Sequence, residues 1–386
     1  MKTIYLDYNA TSPVRPQVSE RIRPFVDEWF GNPSSLHTHG RKARAAVEAV
    51  RTSLLGMLGN TKGQLIFTSG GTEADNIALR GVAQAMRSKG DHLVVSAVEH
   101  HAVLHAAQAL EEEGFRVTVV PADSEGVVNL QVFQEAITPK TCLISVMHAN
   151  NEVGTIQPVE EIARMAHGHG VLFHTDAVQS FGKLPLDVLR IGADMVSISG
   201  HKLGGLKGSG ALYLREGIRV KPLLRGGPHE RNLRAGTEGV VGIVAMGVAA
   251  EMCLAERDSG SLDRIRRLRD HLEKGLRERL PDVELNGHPE RRLPSTVNLS
   301  FVGCDGETLL MALDLVGICV STGSACSSGS TEPSHVLGAM HLSPERIRGS
   351  IRFSLGWGTT EEEIEECLEL IPPVIQRVRR VKRVGA

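Results

Sequence analysis

Between about residues 60 and 215, short apolar runs alternate with segments whose apolar residues recur at helical spacing. The runs are continuous and do not alternate with polar residues, which is typical of strands buried on both faces of a largely parallel sheet. They occupy residues 64–67, 92–95, 142–147, 171–173 and 194–198. We therefore predict an α/β domain in which helices cover a mostly parallel, mixed sheet. Such sheets bind ligands at the carboxyl ends of their strands, so chemistry is expected just after each run.

The pattern changes after residue 258, where the turn-rich stretch 258–261 indicates a domain boundary. We predict a large domain at residues 15–258. A smaller α/β domain is predicted to combine residues 1–14 with residues 259–386.

The second part of the chain carries its own helical and strand signals. Leucine and isoleucine recur at steps of three and four over residues 262–280, which predicts a long amphipathic helix. Residues 297–301 alternate as a strand does. Thr360 and Glu363 have the spacing of a capping box and predict the start of a last helix. We expect the adjacent prolines at 372–373 to break or restart that helix.

Composition and charge indicate an ordinary globular protein without an electrostatic preference for polyanions. Of 386 residues, 41% are apolar and 23% are charged, which disfavours disordered and fibrous classes. The 43 Lys and Arg nearly balance the 45 Asp and Glu, so no overall field attracts nucleic acid or an anionic membrane. The basic stretch 377–383 is interpreted as a solvated helix end. We expect neither nucleic acid nor a membrane as a partner.

Targeting and redox signals favour the cytoplasm. The residues after Met1 lack the apolar stretch of a secretory signal, and no segment approaches the roughly 20 apolar residues of a membrane span. The six cysteines lie far apart without a Cys-x-x-Cys pair, so thiols are expected and not disulfides. None of the sixteen histidines belongs to a cluster with zinc-site spacing, so no metal is expected.

Two segments at predicted strand ends suit a charged ligand. The turn 69–73 opens a helical pattern, and its Gly71 and Thr72 can present backbone N–H groups to a phosphate, although such a turn is more often only a turn. Asp176 follows the fourth apolar run, where a carboxylate needs a cationic partner such as a pyridinium nitrogen. A structural salt bridge or a helix N-cap is the alternative for this carboxylate.

Two further segments supply an amine and a thiol. Lys202 follows the last apolar run, where desolvation can lower the pKa of an amine as Schiff-base formation requires; a surface lysine is the alternative. Cys326 lies among the small residues 323–330 and can stay exposed, whereas a core thiol fits Cys142 and Cys319 better. Phosphate turn, carboxylate, lysine and thiol together are the parts of a pyridoxal-phosphate site with a sulfur acceptor.

Ten ordered motifs then identify a resemblance. They lie at residues 5–11, 30–35, 69–73, 99–100, 148–154, 176–179, 199–202, 234–237, 323–326 and 350–354. Through them the sequence resembles, nearly end to end, the NifS/IscS-like cysteine desulfurases of the class-V aminotransferase family, in the group whose catalytic cysteine lies in a long loop. The resemblance implies the PLP-dependent transferase fold type I, with a large and a smaller domain, and a homodimer with shared active sites.

The resemblance also implies roles around a pyridoxal 5'-phosphate (PLP) cofactor. Lys202 would be the Schiff-base lysine, and Asp176 would pair with the pyridinium nitrogen. Gln179 and Asn151 would bond the phenolic oxygen side, while His100 would stack on the ring and can move protons. The phosphate would be held by Gly71, Thr72, Ser199, His201 and, from the other subunit, Thr237.

The implied reaction removes sulfur from L-cysteine. Arg352 and Asn151 would clamp the substrate carboxylate, for which a guanidinium fork is well shaped. The Lys202 amine would remove the Cα proton, and the Cys326 thiolate would attack the substrate sulfur. The products are L-alanine and a persulfide on Cys326.

The implied partner is a sulfur-acceptor protein, either an iron–sulfur scaffold or a thiolation protein. The sequence ends at Ala386, without the longer tail that housekeeping members use to dock a scaffold. Iron–sulfur cluster assembly, transfer-RNA thiolation and a nitrogenase-specific role therefore stay open.

Two competing interpretations remain. The first is a related lyase that acts on selenocysteine or cystine, against which the loop residue Cys326 argues, because such eliminations need no thiol acceptor. The second is a non-catalytic relative of the same fold. The joint presence of Lys202, Asp176, His100 and Cys326 argues against it.

Overall fold

The computed structural model describes residues 3–322 and 333–384, with side chains as far as residue 380. Cys326, predicted as the sulfur acceptor, lies outside the described residues. The described strands are β1 Ile4–Tyr5, β2 Gln64–Thr68, β3 His92–Ser96, β4 Arg116–Val120, β5 Thr141–Ser145, β6 Leu172–Asp176, β7 Met195–Ser199, β8 Gly210–Leu214, β9 Val283–Asn286, β10 Thr296–Phe301, β11 Ile318–Cys319 and β12 Ser350–Ser354.

The described helices surround these strands. They are α1 Pro16–Asp27, α2 Thr38–Met57, α3 Gly71–Asn76, α4 Val82–Met86, α5 His101–Glu112, α6 Leu130–Ala136, α7 Val159–Gly168, α8 Val188–Ile191, α9 Val240–Asp258, α10 Ser261–Arg279, α11 Gly306–Asp314, α12 His335–Ala339, α13 Pro344–Arg348 and α14 Glu361–Val384. A π-helical turn, Ile77–Gly81, joins α3 to α4, and a 3₁₀ turn, Gly200–Lys202, follows β7.

A seven-stranded sheet forms the centre of the larger part of the molecule. Its strand order is β2-β8-β7-β6-β5-β3-β4. Strand β8 runs antiparallel to both of its neighbours, and the remaining pairs are parallel. The predicted mostly parallel, mixed sheet is therefore confirmed, and each predicted apolar run corresponds to one of its strands.

Two apolar cores cover the two faces of this sheet, which explains why its strands are continuous apolar runs in the sequence. Consecutive strand residues point to opposite faces. Accordingly Val94 and Ile144 pack in one core, whereas their neighbours Val95 and Leu143 pack in the other. Both faces are thus closed to water, and only the strand ends remain for polar chemistry.

A separate apolar core lies around the three-stranded sheet β12-β10-β9. Ile4 and Leu6 join it from the N-terminal segment, together with residues of α10, α11 and α14. This core supports the division that we propose, in which residues 1–14 belong with residues 259–386.

The predicted secondary structure of the second part is confirmed with one refinement. The amphipathic pattern forms α10, and the alternating residues form β10. All six residues of β10 are buried, so its polar face does not meet water. The side-chain amide of Asn286 donates to the Asn298 amide oxygen at 2.8 Å and satisfies part of that face.

The last helix confirms one prediction and contradicts another. The Thr360 N–H donates to Glu363, and the Glu363 N–H donates to the Thr360 hydroxyl, as a capping box requires. The expected break at the two prolines is wrong, because α14 continues through Pro372 and Pro373. Each proline removes one backbone donor, but apolar residues on both sides, including Ile371 and Val374, are anchored in the small core.

Candidate active site

A cavity of about 250 Å³ lies at the carboxyl ends of the central strands. Ten of the twelve residues predicted for the site line it: Gly71, Thr72, His100, Asn151, Asp176, Gln179, Ser199, His201, Lys202 and Arg352. Thr237 is exposed and is not among the lining residues. Cys326 is outside the described residues, so its position relative to the cavity stays a prediction.

Strand β7 ends at Ser199, and the chain then forms a tight 3₁₀ turn, Gly200–Lys202. This turn brings Lys202 to the cavity. Its Nζ donates to the backbone carbonyl oxygens of Asn9 at 2.5 Å and Ala10 at 2.8 Å. The Ser12 hydroxyl donates to the Lys202 carbonyl at 3.0 Å. The N-terminal segment thus fixes the amine from a distance of about 190 positions along the chain.

Asp176 is the last residue of β6 and is buried at the base of the cavity. Burial raises its pKa to about 6, against the lowering effects of the Val178 N–H and the Lys202 charge. Asp75 lies nearby, and its pKa is raised well above the usual value by burial and by the charge of Asp176. Two neighbouring buried carboxyl groups favour a cationic ligand at this point.

His100 is neutral near pH 7 and has a defined tautomer. It caps α5 by accepting the Ala102 N–H on Nδ1 at 3.1 Å, which leaves the proton on Nε2. Burial, together with the charge of Lys202, lowers its pKa to about 4. A neutral ring at the cavity wall suits stacking on an aromatic ligand.

The opposite end of the cavity suits an anionic group. Gly71 and Thr72 form the first turn of α3, where backbone N–H groups have no partner within the helix. The Ser199 hydroxyl oxygen is buried with no hydrogen-bond partner. A Cβ added to Gly71 would lie 2.7 Å from a methyl carbon of Val178, so glycine keeps this cradle open. These donors fit a phosphate, and with Asp176 they fit PLP as a whole.

Arg352 lies in β12 and is only 1% exposed. Its Nη1 donates to the Asn151 carbonyl at 2.9 Å, and its Nη2 donates to the Asp7 carboxylate at 2.8 Å. Because a guanidinium has five N–H groups, three remain for a substrate carboxylate. The amide oxygen of Asn151 is buried without a partner, which leaves that side chain able to bind a ligand.

Several lining residues were missed by sequence reasoning. They are Asn9, Ala10, Asp75, His101, Glu152 and His335, with some apolar neighbours. Asn9, Ala10 and Glu152 lie in motifs of the resemblance, and His101 adjoins His100, so a signal existed for these four. The remaining residues carry no local pattern that separates them from ordinary core or surface positions.

Residues 4–367 match the aminotransferase class-V family. The chain belongs to this family. Members of the aminotransferase class-V family that are cysteine desulfurases depend on PLP, in agreement with the cavity's donor and carboxylate ends. The family assignment confirms the predicted fold class.

Individual relatives in the family are similar over nearly the whole chain. "Cysteine desulfurase IscS" of Dictyoglomus turgidum is 47% identical over 380 residues, which are 98% of this chain and 96% of the relative. The protein of the same name from Methanosarcina thermophila is also 47% identical, over 98% of this chain and 94% of its own. A solved structure titled "NIFS-LIKE PROTEIN" superimposes with a TM-score of 0.91 at 37% identity, over 97% of this chain and all of that one.

The described residues show neither a helix that could span a membrane nor a metal-binding cluster. None of the described helices combines the length and apolar character needed to cross a membrane. Within residues 3–322 and 333–384, no group of three or more metal-ligating side chains is placed to hold an ion.

Proposed function

We propose that this protein is a PLP-dependent cysteine desulfurase that converts L-cysteine to L-alanine and carries the sulfur on Cys326. The observation that carries the proposal is the convergence of Lys202, Asp176 and His100 in one cavity beside an anion cradle. The names of the relatives above support the choice of cysteine as substrate.

The residues present would hold PLP by both ends. Lys202 would bind it covalently, Asp176 would face its ring nitrogen, and the phosphate would lie against Gly71, Thr72, Ser199 and His201. When bound, PLP supplies an electron sink that weakens bonds at the substrate Cα and Cβ.

The protein's own groups then orient the substrate and move its protons. Arg352 and Asn151 would bind the substrate carboxylate. Lys202 Nζ, which the Asn9 and Ala10 carbonyls hold in place, would take the Cα proton. A lysine performs this step only when its amine is neutral.

We further propose a cytoplasmic homodimer that passes sulfur to a protein acceptor, an iron–sulfur scaffold or a thiolation protein. The exposed position of Thr237, outside the cavity of its own subunit, is consistent with a role in the partner's phosphate site. Large apolar side chains are also exposed within residues 30–36, with Phe30 at 73% and Leu36 at 89%.

The proposal is tested by incubating the protein with L-cysteine and a thiol reductant. Equal amounts of sulfide and alanine are expected, with a loss of at least about 100-fold for Lys202→Ala and Cys326→Ala. Lys207→Ala, in the same loop but exposed, and Cys319→Ala, a half-buried thiol, are the matched controls and should stay active.

Other outcomes would separate the competing functions. A protein that binds no PLP would be a non-catalytic relative. Full activity of Cys326→Ala would indicate a lyase without a thiol acceptor, and turnover of selenocysteine by that variant would identify the substrate class.

A further inference from the structure

Three histidines, which we call the histidine cluster, lie beside the active-site cavity: His101, His105 and His335. The ring centroids of His101 and His335 are 4.4 Å apart, and those of His101 and His105 are 4.9 Å apart. His101 and His335 line the cavity, whereas His105 is exposed. The function described above assigns no role to these side chains.

One hydrogen bond fixes the tautomer of His335. Its Nε2 lies 2.9 Å from the backbone carbonyl oxygen of Glu99. Since a carbonyl only accepts, Nε2 carries the proton and Nδ1 keeps a lone pair. Nδ1 is buried and has no hydrogen-bond partner among the described residues. A buried acceptor left without a partner is unfavourable, so its retention in a residue of the cavity wall points to a ligand.

The backbone around His335 holds the ring in place. Ser334, the residue before it, caps α12 by accepting the Leu337 N–H at 3.1 Å. The same Ser334 hydroxyl donates to Glu152 at 2.5 Å. These contacts hold the start of α12 against the cavity wall. A side chain that accepts a proton must be held in a fixed position in this way.

Burial shifts the pKa values of the titratable groups around His335 toward their neutral forms. Burial raises the pKa of Glu99 to about 8 and raises that of Glu152. Burial lowers the pKa of His335 from its ordinary value, and the neighbouring His105 lowers it further, while the Glu99 carbonyl opposes both. His101 and His105 are the titratable neighbours on α5, and His100 is the N-cap residue of that helix. His335 is therefore a neutral imidazole with an available lone pair at pH 7.

Two other imidazoles of the cavity, His100 and His201, are less suited to accept a proton. His100 already accepts the Ala102 N–H on Nδ1, so only a donor remains on its ring. His201 Nδ1 lies 3.1 Å from the Thr11 hydroxyl, at the phosphate end of the cavity. Lys202 is assigned to the Cα proton.

We propose, on the basis of the function proposed above, that His335 is a further catalytic residue whose Nδ1 takes the proton of the substrate thiol. The S–H bond breaks, its electron pair stays on the sulfur, and an N–H bond forms at Nδ1. A free thiol with a pKa of about 8.5 is only a few per cent ionised at pH 7, so a placed base contributes to every turnover.

The test compares two reactions of one holoenzyme. The first is sulfide release from L-cysteine, and the second is exchange of the Cα proton of L-alanine with D₂O, followed by NMR. The exchange requires Lys202 but no thiol. In His335→Gln the amide N–H can still reach the Glu99 carbonyl, so the structural bond is kept while the base is lost.

For His335→Gln we expect kcat/KM for L-cysteine to fall by about 10²–10⁴-fold, with alanine exchange within about threefold of the wild type. In the wild type, kcat/KM should fall at low pH as His335 becomes protonated. The variant should lack this limb and rise instead toward the pKa of the free thiol. His105→Gln, the matched control, should keep both reactions and move the acidic limb to higher pH, because His105 lowers the pKa of His335.

Three outcomes would overturn the assignment. A variant that loses both reactions equally would show that His335 shapes the site as a whole, and one that keeps full desulfurase activity would show that another group takes the proton. An unchanged pH profile would lead to the same conclusion. A wild-type protein that exchanges alanine but releases no sulfide would instead refute the proposed function, on which this assignment rests.

Discussion

At the scale of single residues, burial sets the charge of the active-site groups. It raises the pKa values of Asp176, Asp75 and Glu99 and lowers those of His100 and His201. Each shift disfavours the charged form, as expected in a cavity closed to water. Ionised Asp176 is therefore unfavourable in the site without its cofactor. The positively charged ring nitrogen of PLP would relieve this cost.

We expect Asp176→Asn to bind PLP more weakly than the wild type and to have a more stable apoprotein. The pKa of Asp176 is raised from 3.8 to about 6, so its contribution to apoprotein stability is present at low pH and is lost as the pH rises through about 6. At pH 8 the neutral amide should raise the free energy of unfolding of the apoprotein by on the order of 2 kcal/mol. PLP affinity should fall at least about tenfold, because the carboxylate partner of the ring nitrogen is gone.

Thermal unfolding of the apoproteins and PLP titration measure the two effects. Asp123→Asn changes an exposed carboxylate and should alter stability by less than about 0.5 kcal/mol. A destabilised Asp176→Asn apoprotein, or one that retains PLP as tightly as the wild type, would contradict the assigned role of this carboxylate.

At the scale of elements, the reversed strand β8 shapes the phosphate cradle. Its first residue, Gly210, pairs with Thr68 and with Ser199, at the ends of two strands that lead into the site. A Cβ added to Gly210 would lie 2.6 Å from the carbonyl carbon of Gly70. Backbone cannot yield as a side chain can, so the close packing of β8 positions the turn before α3.

We expect Gly210→Ala to weaken PLP binding more than it weakens the fold. The displaced Gly70 backbone should shift the N–H of Gly71, lowering PLP affinity at least about tenfold, while overpacking lowers the free energy of unfolding by about 1–3 kcal/mol. Denaturant unfolding and PLP titration of the apoprotein measure both quantities.

Gly56→Ala is the matched control, because a Cβ there would meet nothing within 4 Å. In the helix α2 it should stabilise the protein by up to about 1 kcal/mol and leave PLP affinity unchanged. Normal PLP affinity in Gly210→Ala would show that the cradle does not depend on this contact.

At the scale of the whole molecule, the distribution of exposed apolar side chains supports the proposed homodimer. Val26, Phe30 and Leu36 are all exposed within eleven positions of the chain. Clusters of exposed apolar side chains in soluble proteins are typical of interaction surfaces. Thr237, which the resemblance assigns to the partner's phosphate site, would be functional only in such an assembly.

We expect Leu36→Glu to weaken self-association and, with it, PLP binding. A carboxylate at a position buried between subunits loses its hydration, so sedimentation velocity should show a dissociation constant at least about 100-fold higher. Leu315→Glu is the matched control, because Leu315 is 72% exposed but lies next to α11, away from this segment. A dimer that Leu36→Glu leaves intact would place the interface elsewhere.

The sequence by itself determined what depends on neighbouring residues. Continuous apolar runs predicted the strands of the central sheet, and the residues after them predicted Asp176 and Lys202 at one edge, because parallel strands end together. The resemblance added His100, Asn151, Gln179, Ser199, His201 and Arg352, and the spacing of Thr360 and Glu363 alone predicted the capping box. Each of these features follows from local geometry.

Only the tertiary structure decided what depends on contacts across the chain. It showed that the carbonyls of Asn9 and Ala10 hold Lys202, that Nδ1 of His335 has no hydrogen-bond partner among the described residues, and that α14 continues through its prolines. No local pattern contains these facts, because packing between distant segments can satisfy a buried amine, orient a ring or compensate a lost backbone donor. The same packing sets each group's desolvation, and with it the charge on which the chemistry depends.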